Sequence, residues 1–191
     1  MLEIEVKVRI ADPAAARTKL LAAGAILFKD RYREVNTLYD DKAGLLRLKR
    51  CALRLRTAGK KAFLTFKGEP RKSRSYKVRE EYETEVKHPK RLAKILKGLG
   101  FVPVFRYEKT RAIFKKKTLK ICVDETAAGN FLEFEGERED IARFSKTLGI
   151  SKTEWITLDY IQLLLAAGKG EEPPYSSSLT SPPSSAGNSS S

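Results

Sequence analysis

Residues 2–10 read Leu2-Glu3-Ile4-Glu5-Val6-Lys7-Val8-Arg9-Ile10, and this stretch decides how the rest of the chain is read. Side chains alternate across a β-strand, so Leu2, Ile4, Val6 and Val8 share one face and Glu3, Glu5, Lys7 and Arg9 the other. A near copy of its centre, Glu3-Ile4-Glu5-Val6-Lys7, returns as Glu83-Thr84-Glu85-Val86-Lys87. The likeness extends beyond these residues. Pro13 to Gly24-Ala25 matches Pro89 to Gly100-Phe101, each an amphipathic helix ending at a glycine. The chain therefore reads as two related halves, each opening with an acidic strand followed by a helix.

The remaining segments fit an α+β barrel or curved sheet of about eight antiparallel strands with flanking helices. Asp12 caps a helix from Pro13 to about Ala23, and Ile26 to Tyr39 is extended. Asp40 to Arg50 is a polar connection with room for a helical turn. Cys51 to Thr57 and Lys61 to Lys67 form a hairpin about Ala58-Gly59-Lys60, and a basic loop leads to a long strand, Tyr76 to Lys87. After the helix Pro89 to Leu99 come strands near 101–114, 119–124 and 130–137, then helices near 140–148 and 157–167.

The 191 residues are 41% hydrophobic and 32% charged, enough for a core beneath a heavily charged surface. Composition changes at Gly168. Residues 169–191 hold nine serines and four of the eight prolines, with only Tyr175 and Leu179 as sizeable hydrophobes, and read as a disordered tail after a domain of residues 1–168. That tail carries one basic and two acidic residues, so 37 basic and 22 acidic residues, a net +15, fall in the domain. Such charge implies an anionic partner. Cys51 and Cys122 lack metal-type spacing and read as cytosolic thiols. No signal peptide or membrane-spanning run is visible, which points to the cytoplasm and away from a membrane partner.

The charges are ordered. Glu3, Glu5 and Lys7 share a face, as do Arg54 with Arg56, and Lys67 ends the next strand. Arg79, Glu81, Glu83 and Glu85 line up on the long strand; Lys109 and Arg111 pair later, followed by Asp124, then Glu133 with Glu135. A solvated outer face explains most alternating charges on antiparallel sheets. It explains less well why acid stands beside acid and base beside base, which is repulsive unless a counter-ion lies between. With this face turned inward, a closed barrel becomes a tunnel lined by both signs. Its bases would clamp phosphates, and its carboxylates would hold Mg²⁺ or Mn²⁺. The only histidine, His88, sits between a strand and Pro89, so no Ser–His–Asp or Cys–His arrangement can be assembled. Trp155 reads as a packing residue and Lys115-Lys116-Lys117 as a solvated turn.

From Leu2 to about Ala167 this pattern resembles the CYTH superfamily, the triphosphate tunnel enzymes that include class IV adenylyl cyclases and thiamine triphosphatases. E-x-E-x-K stands as Glu3 to Lys7, R-x-R as Arg54-Leu55-Arg56, T-x-K-G as Thr65 to Gly68, and R-x-E-x-E as Arg79 to Glu83. K-x-R is Lys109 to Arg111, the late aspartate is Asp124, and F-x-E-x-E is Phe131 to Glu135. Asn36 to Asp40 matches a further pattern found widely in the superfamily. The resemblance implies an eight-stranded antiparallel tunnel open at both ends. It implies that Lys7, Arg54, Arg56, Lys67, Lys109 and Arg111 bind a triphosphate, with Lys7, Arg54, Arg56 and Lys67 also serving the chemistry. Arg79 would bind phosphate or neutralise its neighbours. Glu3, Glu5, Glu133 and Glu135 would hold the divalent metal, with Asp124 and the Glu81, Glu83, Glu85 face assisting.

Two reactions fit that apparatus. In a cyclase the ribose 3′-oxygen attacks the α-phosphorus and pyrophosphate leaves; in a triphosphatase water attacks the terminal phosphorus. The stretches Glu3 to Ile10 and Leu64 to Pro70 look closer to the cyclase-like members, so conversion of ATP to cyclic AMP is the leading expectation. Hydrolysis of thiamine triphosphate, a nucleoside triphosphate or tripolyphosphate follows. A non-catalytic polyphosphate or RNA binder is the third reading, but paired carboxylates would repel a nucleic-acid backbone. The expected partner is thus a small triphosphate compound, with a homodimer left open.

Overall fold

The computed structural model describes residues 2–169, so the expected tail lies, from residue 170 onward, outside the described residues. The opening stretch forms β1 (Leu2–Ile10), and α1 (Pro13–Ala22) follows with Asp12 accepting from the Ala14 amide and Pro13 in its first turn. Gly24 then turns the chain at φ 77°; a Cβ there would also lie 2.5 Å from Lys116 Nζ. That ammonium donates to the Ala23 and Gly24 carbonyls, so Lys116 ties a turn to the end of α1 rather than standing in solvent as expected.

β2 (Ile26–Asp40) is one long irregular strand, and α2 (Leu45–Leu48) is the helical turn in the polar connection. β3 (Ala52–Ala58) and β4 (Lys61–Lys67) make the expected hairpin. β5 (Lys77–Glu85) is shorter than its sequence suggests and leads to α3 (Pro89–Gly98) and a second long strand, β6 (Val102–Lys116). β7 (Leu119–Thr126), β8 (Gly129–Glu135), α4 (Arg138–Thr147), a single 3-10 turn (Lys152–Glu154) and α5 (Tyr160–Ala166) complete the described chain.

The eight strands close into an antiparallel barrel in the order β1-β5-β4-β3-β2-β6-β7-β8. The two halves seen in the sequence are visible in it. β1-α1-β2 and β5-α3-β6 repeat as strand, helix and long strand, with β1 beside β5 and β2 beside β6.

Closure turns the usual barrel inside out. The apolar residues of β1 and of β6 to β8, including Val6, Val8, Phe114, Ile121 and Phe134, pack outward against Leu20 of α1 and Ile141 and Phe144 of α4. A smaller outer cluster joins Leu55 and Tyr39 to Leu96 of α3. Trp155 packs on the larger cluster and its ring meets Tyr76 at 5.2 Å, a packing role as expected. The helices thus cover the outer wall, which leaves the charged faces pointing into the barrel. No helix among the described residues is long and apolar enough to cross a membrane.

Candidate active site

Strand alternation and barrel closure together bring the charged faces of seven strands to one lumen. β1 contributes Glu3, Glu5 and Lys7; β3 and β4 contribute Arg54, Arg56 and Lys67. β5 adds Arg79, Glu81 and Glu83, while Lys109 and Arg111 of β6 face Glu133 and Glu135 of β8. Glu85 is the exception on its strand, ending outside in an exposed pair with Lys61 at 3.2 Å.

The like-charge pairs along each strand are resolved across strands. Lys67 Nζ lies 2.6 Å from Glu3 and 2.8 Å from Glu81, its register partner on β5. Arg56 donates to both oxygens of Glu83 at 3.0 Å and to Glu34 at 3.1 Å. Lys7 meets Glu5 at 2.9 Å and Glu133 at 3.2 Å; Arg111 also reaches Glu133, at 2.6 Å, and Lys120 holds Glu135 at 2.6 Å. Arg54 is held more loosely, 3.4 Å from the Thr65 hydroxyl and 3.8 Å from Glu83. These pairs fill the lumen, leaving a cavity of about 100 Å³ between them.

Asp124 stands beside the lumen bases Lys109 and Arg111. It is fully buried, and its oxygens accept from Arg111, from Lys109 at 3.1 Å and from the Tyr160 hydroxyl at 2.5 Å. Its carboxylate orients two bases behind the cavity wall and does not line the cavity.

Burial and neighbouring charge split the carboxyl groups. Burial pushes Glu3 up to about 8 despite Lys67, with Glu5 and Glu81 adding to the rise. Burial penalises Glu5 most strongly, but Lys7, Lys67 and Lys77 together overcome it and hold Glu5 down at about 2. Burial likewise opposes ionisation of Glu133, and Arg111 and Lys7 overcome it to hold Glu133 well below the carboxylate range. Glu3 and Glu81, both paired with Lys67, act on each other in opposite senses, Glu3 being pushed up and Glu81 down. Such oxygen donors match the chemistry of Mg²⁺ or Mn²⁺. Among the described residues no group of three or more acids, histidines or cysteines is already gathered around one point, because lysines and arginines hold the carboxylates apart.

Several lumen residues escaped the sequence reading. Lys77 precedes Arg79 by two positions and Lys120 precedes Asp124 by four, so strand parity alone would have found them. Glu34, fully buried between Arg56 and Lys109, also has the parity of its strand's inner face. Asp159 and Tyr160 have no such signal, since they reach the lumen from the start of α5. Asp159 lies 3.3 Å from Lys77 and 3.7 Å from Arg79. The Tyr160 ring sits under the Lys7 and Lys109 ammonium groups, 5.0 and 4.4 Å from its centroid. Behind it, Leu163 and Leu164 join Leu38, Phe105 and Phe131 in an apolar cluster. The first turn of α5 therefore lies against the lumen.

The family model for the CYTH domain matches residues 1–153. The chain belongs to the CYTH family. A candidate adenylate cyclase of Methanocaldococcus jannaschii is 30% identical over 174 residues, covering 85% of this chain and 98% of that protein. Among solved structures, a Pyrococcus horikoshii protein superposes with a TM-score of 0.73 at 25% identity, covering 86% of this chain and 99% of the other. A Hippeastrum protein superposes with a TM-score of 0.60 at 22% identity, covering 87% and 96%, and shares the fold. The CYTH barrel described above is the triphosphate-tunnel fold, and the chain is an enzyme of that class acting on a triphosphate moiety.

Proposed function

We propose that this CYTH protein is a divalent-metal-dependent enzyme that acts on a nucleotide triphosphate, converting ATP to cyclic AMP and pyrophosphate. The observation that carries the reading is the lumen itself. Seven bases, Lys7, Arg54, Arg56, Lys67, Arg79, Lys109 and Arg111, converge there from five strands. A polyphosphate entering it would exchange carboxylate partners for phosphate oxygens on these side chains. Arg54, whose contacts in the lumen are long, is among the first free to do so.

Glu3, Glu5, Glu133 and Glu135, with Glu81, would hold Mg²⁺ or Mn²⁺ once Lys67, Lys7 and Lys120 turn to phosphate. The cation supplies charge neutralisation at the phosphoryl oxygens. Lys109 and Arg111, fixed by Asp124, present their charge at a set position and so stabilise the charge that develops on the leaving pyrophosphate. The Methanocaldococcus relative, named a candidate adenylate cyclase, supports cyclisation. Hydrolysis of the terminal phosphate is the second reading. It is supported by the Hippeastrum protein, described as a candidate adenylyl cyclase with a dominant triphosphatase activity.

The test is product analysis with ATP, thiamine triphosphate and tripolyphosphate in parallel, with Mg²⁺, Mn²⁺ or EDTA. Cyclic AMP with pyrophosphate, lost in EDTA, supports cyclisation; orthophosphate without cyclic nucleotide replaces it with hydrolysis. Turnover that EDTA leaves unchanged removes the metal, and no turnover leaves a polyphosphate binder.

A further inference from the structure

The internal repeat sets α1 and α3 in equivalent places on the outer wall, each following one of the paired strands β1 and β5. Aligned from Pro13 and Pro89, the two helices leave the same four positions exposed. α1 fills them with Ala14, Ala15, Thr18 and Leu21, and α3 with Lys90, Arg91, Lys94 and Lys97. A helix face exposed at this place in the fold therefore needs no charge, and solvation alone does not account for the bases of α3.

With Lys87 ahead of the helix, five exposed bases and no acid stand between residues 87 and 97. None of the five side chains forms an ion pair among the described residues. Where α1 has Lys19 and Ala23, α3 has Ile95 and Leu99, 58% and 68% exposed and one helical turn apart. The barrel takes another side of the helix: Leu96 packs on Tyr39 and Leu55, with Leu92 and Ala93 partly buried beside it. The outer face of α3 is thus a row of unpaired bases next to an uncovered apolar edge.

The chemistry of this face selects the partner. Bases with no carboxylate of their own chain call for a dense array of negative charge. A nucleic-acid backbone offers phosphates but gives Ile95 and Leu99 no apolar surface to enter. An anionic phospholipid bilayer offers both, charged headgroups for the bases and acyl chains just beneath for the two aliphatic side chains. Contact of this kind requires no membrane-spanning segment. We propose that the outer face of α3 docks the protein on an anionic phospholipid bilayer, with Lys87, Lys90, Arg91, Lys94 and Lys97 on the headgroups and Ile95 and Leu99 at the acyl boundary. None of these residues lines the lumen, so docking is independent of the reaction performed there.

The experiment is co-sedimentation of the full chain with sucrose-loaded vesicles, of phosphatidylcholine alone or with an equal share of phosphatidylserine, over a salt series. Wild-type protein should sediment with the acidic vesicles and not the neutral ones, and less as salt rises. Lys90→Glu with Lys94→Glu should weaken partitioning about thirtyfold or more, since each base at the surface contributes about fivefold. Lys72→Glu with Arg74→Glu makes the same change in net charge on the loop before β5 and should weaken it about threefold or less. Ile95→Ser keeps the charge and should weaken it about fivefold. All the substituted side chains are exposed, and melting curves identify a variant that misfolds, in which case the other variants and the wild-type comparison decide. Absence of wild-type binding to acidic vesicles overturns the proposal, as do equal losses in the two charge reversals or no loss in Ile95→Ser. Binding to duplex RNA or DNA that the α3 reversal abolishes, without vesicle binding, overturns it in favour of nucleic acid.

Discussion

Arg111 and Asp124 stand opposite each other across β6 and β7, joined by two hydrogen bonds of 2.6 and 2.5 Å with both side chains buried. Asp124 also accepts from Lys109 and Tyr160, so one carboxylate fixes two bases and the first turn of α5. Removing one member of a buried pair leaves the other charge unpaired. Asp124→Asn should therefore cost about 3–5 kcal/mol in urea unfolding. Tyr160→Phe, which removes one hydrogen bond to the same carboxylate, should cost about 1.5–3 kcal/mol. A near-neutral Asp124→Asn would show that the bases are positioned by other contacts.

Arg54 separates binding from stability. Its contacts to Thr65 and Glu83 are long, so Arg54→Ala should leave the urea midpoint close to wild type. Loss of a charged hydrogen bond to phosphate should lower kcat/KM by about 10–100-fold. Unchanged kinetics would take Arg54 out of the site.

Glu3 and Glu5, two residues apart, should shift stability in opposite directions with pH. Glu3 is raised from 4.5 to about 8 in the folded chain, so its contribution is fully present below pH 4.5 and is lost as pH rises through 8. Glu5 is lowered to about 2, so its contribution is present above pH 4.5 and lost as pH falls through 2. In EDTA, Glu3→Gln should flatten the stability profile between pH 4.5 and 8, and Glu5→Gln the acid limb below 4.5. Unfolding curves across pH check both; parallel profiles for wild type and Glu3→Gln would contradict the assignment.

Glu3→Ala or Glu5→Ala should abolish Mg²⁺-dependent turnover while the far-ultraviolet circular dichroism stays that of wild type. Glu5→Ala should be the less stable of the two, because Lys7 and Lys77 both face Glu5. Full activity in either variant would remove that residue from the metal set.

The lumen was legible because a strand's inner face is written at every second residue. Glu3-Glu5-Lys7, Arg54-Arg56, Lys109-Arg111 and Glu133-Glu135 needed only that period and closure of the barrel. The internal repeat was a true guide to topology and a poor one to the site. It aligns Glu83 and Glu85 with Glu3 and Glu5, yet β1 pairs with β5 so that Glu3 meets Arg79 and Glu5 meets Lys77. Glu81 and Glu83 then face inward while Glu85 passes outside. Cross-strand neutralisation of the like-charge pairs was not legible, since register depends on how the strands assemble. Nor were Asp159 and Tyr160, whose short capped helix carries no period that ties it to a distant lumen.

The central claim is that phosphate and metal meet inside this barrel. The direct measurement is a crystal structure with a bis-methylene ATP analogue and Mn²⁺, using anomalous scattering to locate the metal. The account predicts phosphates against Arg54, Arg56, Lys67 and Arg111, and an anomalous peak beside Glu3 and Glu5. Nucleotide and metal bound on the outer surface, with the lumen ion pairs intact, would contradict it.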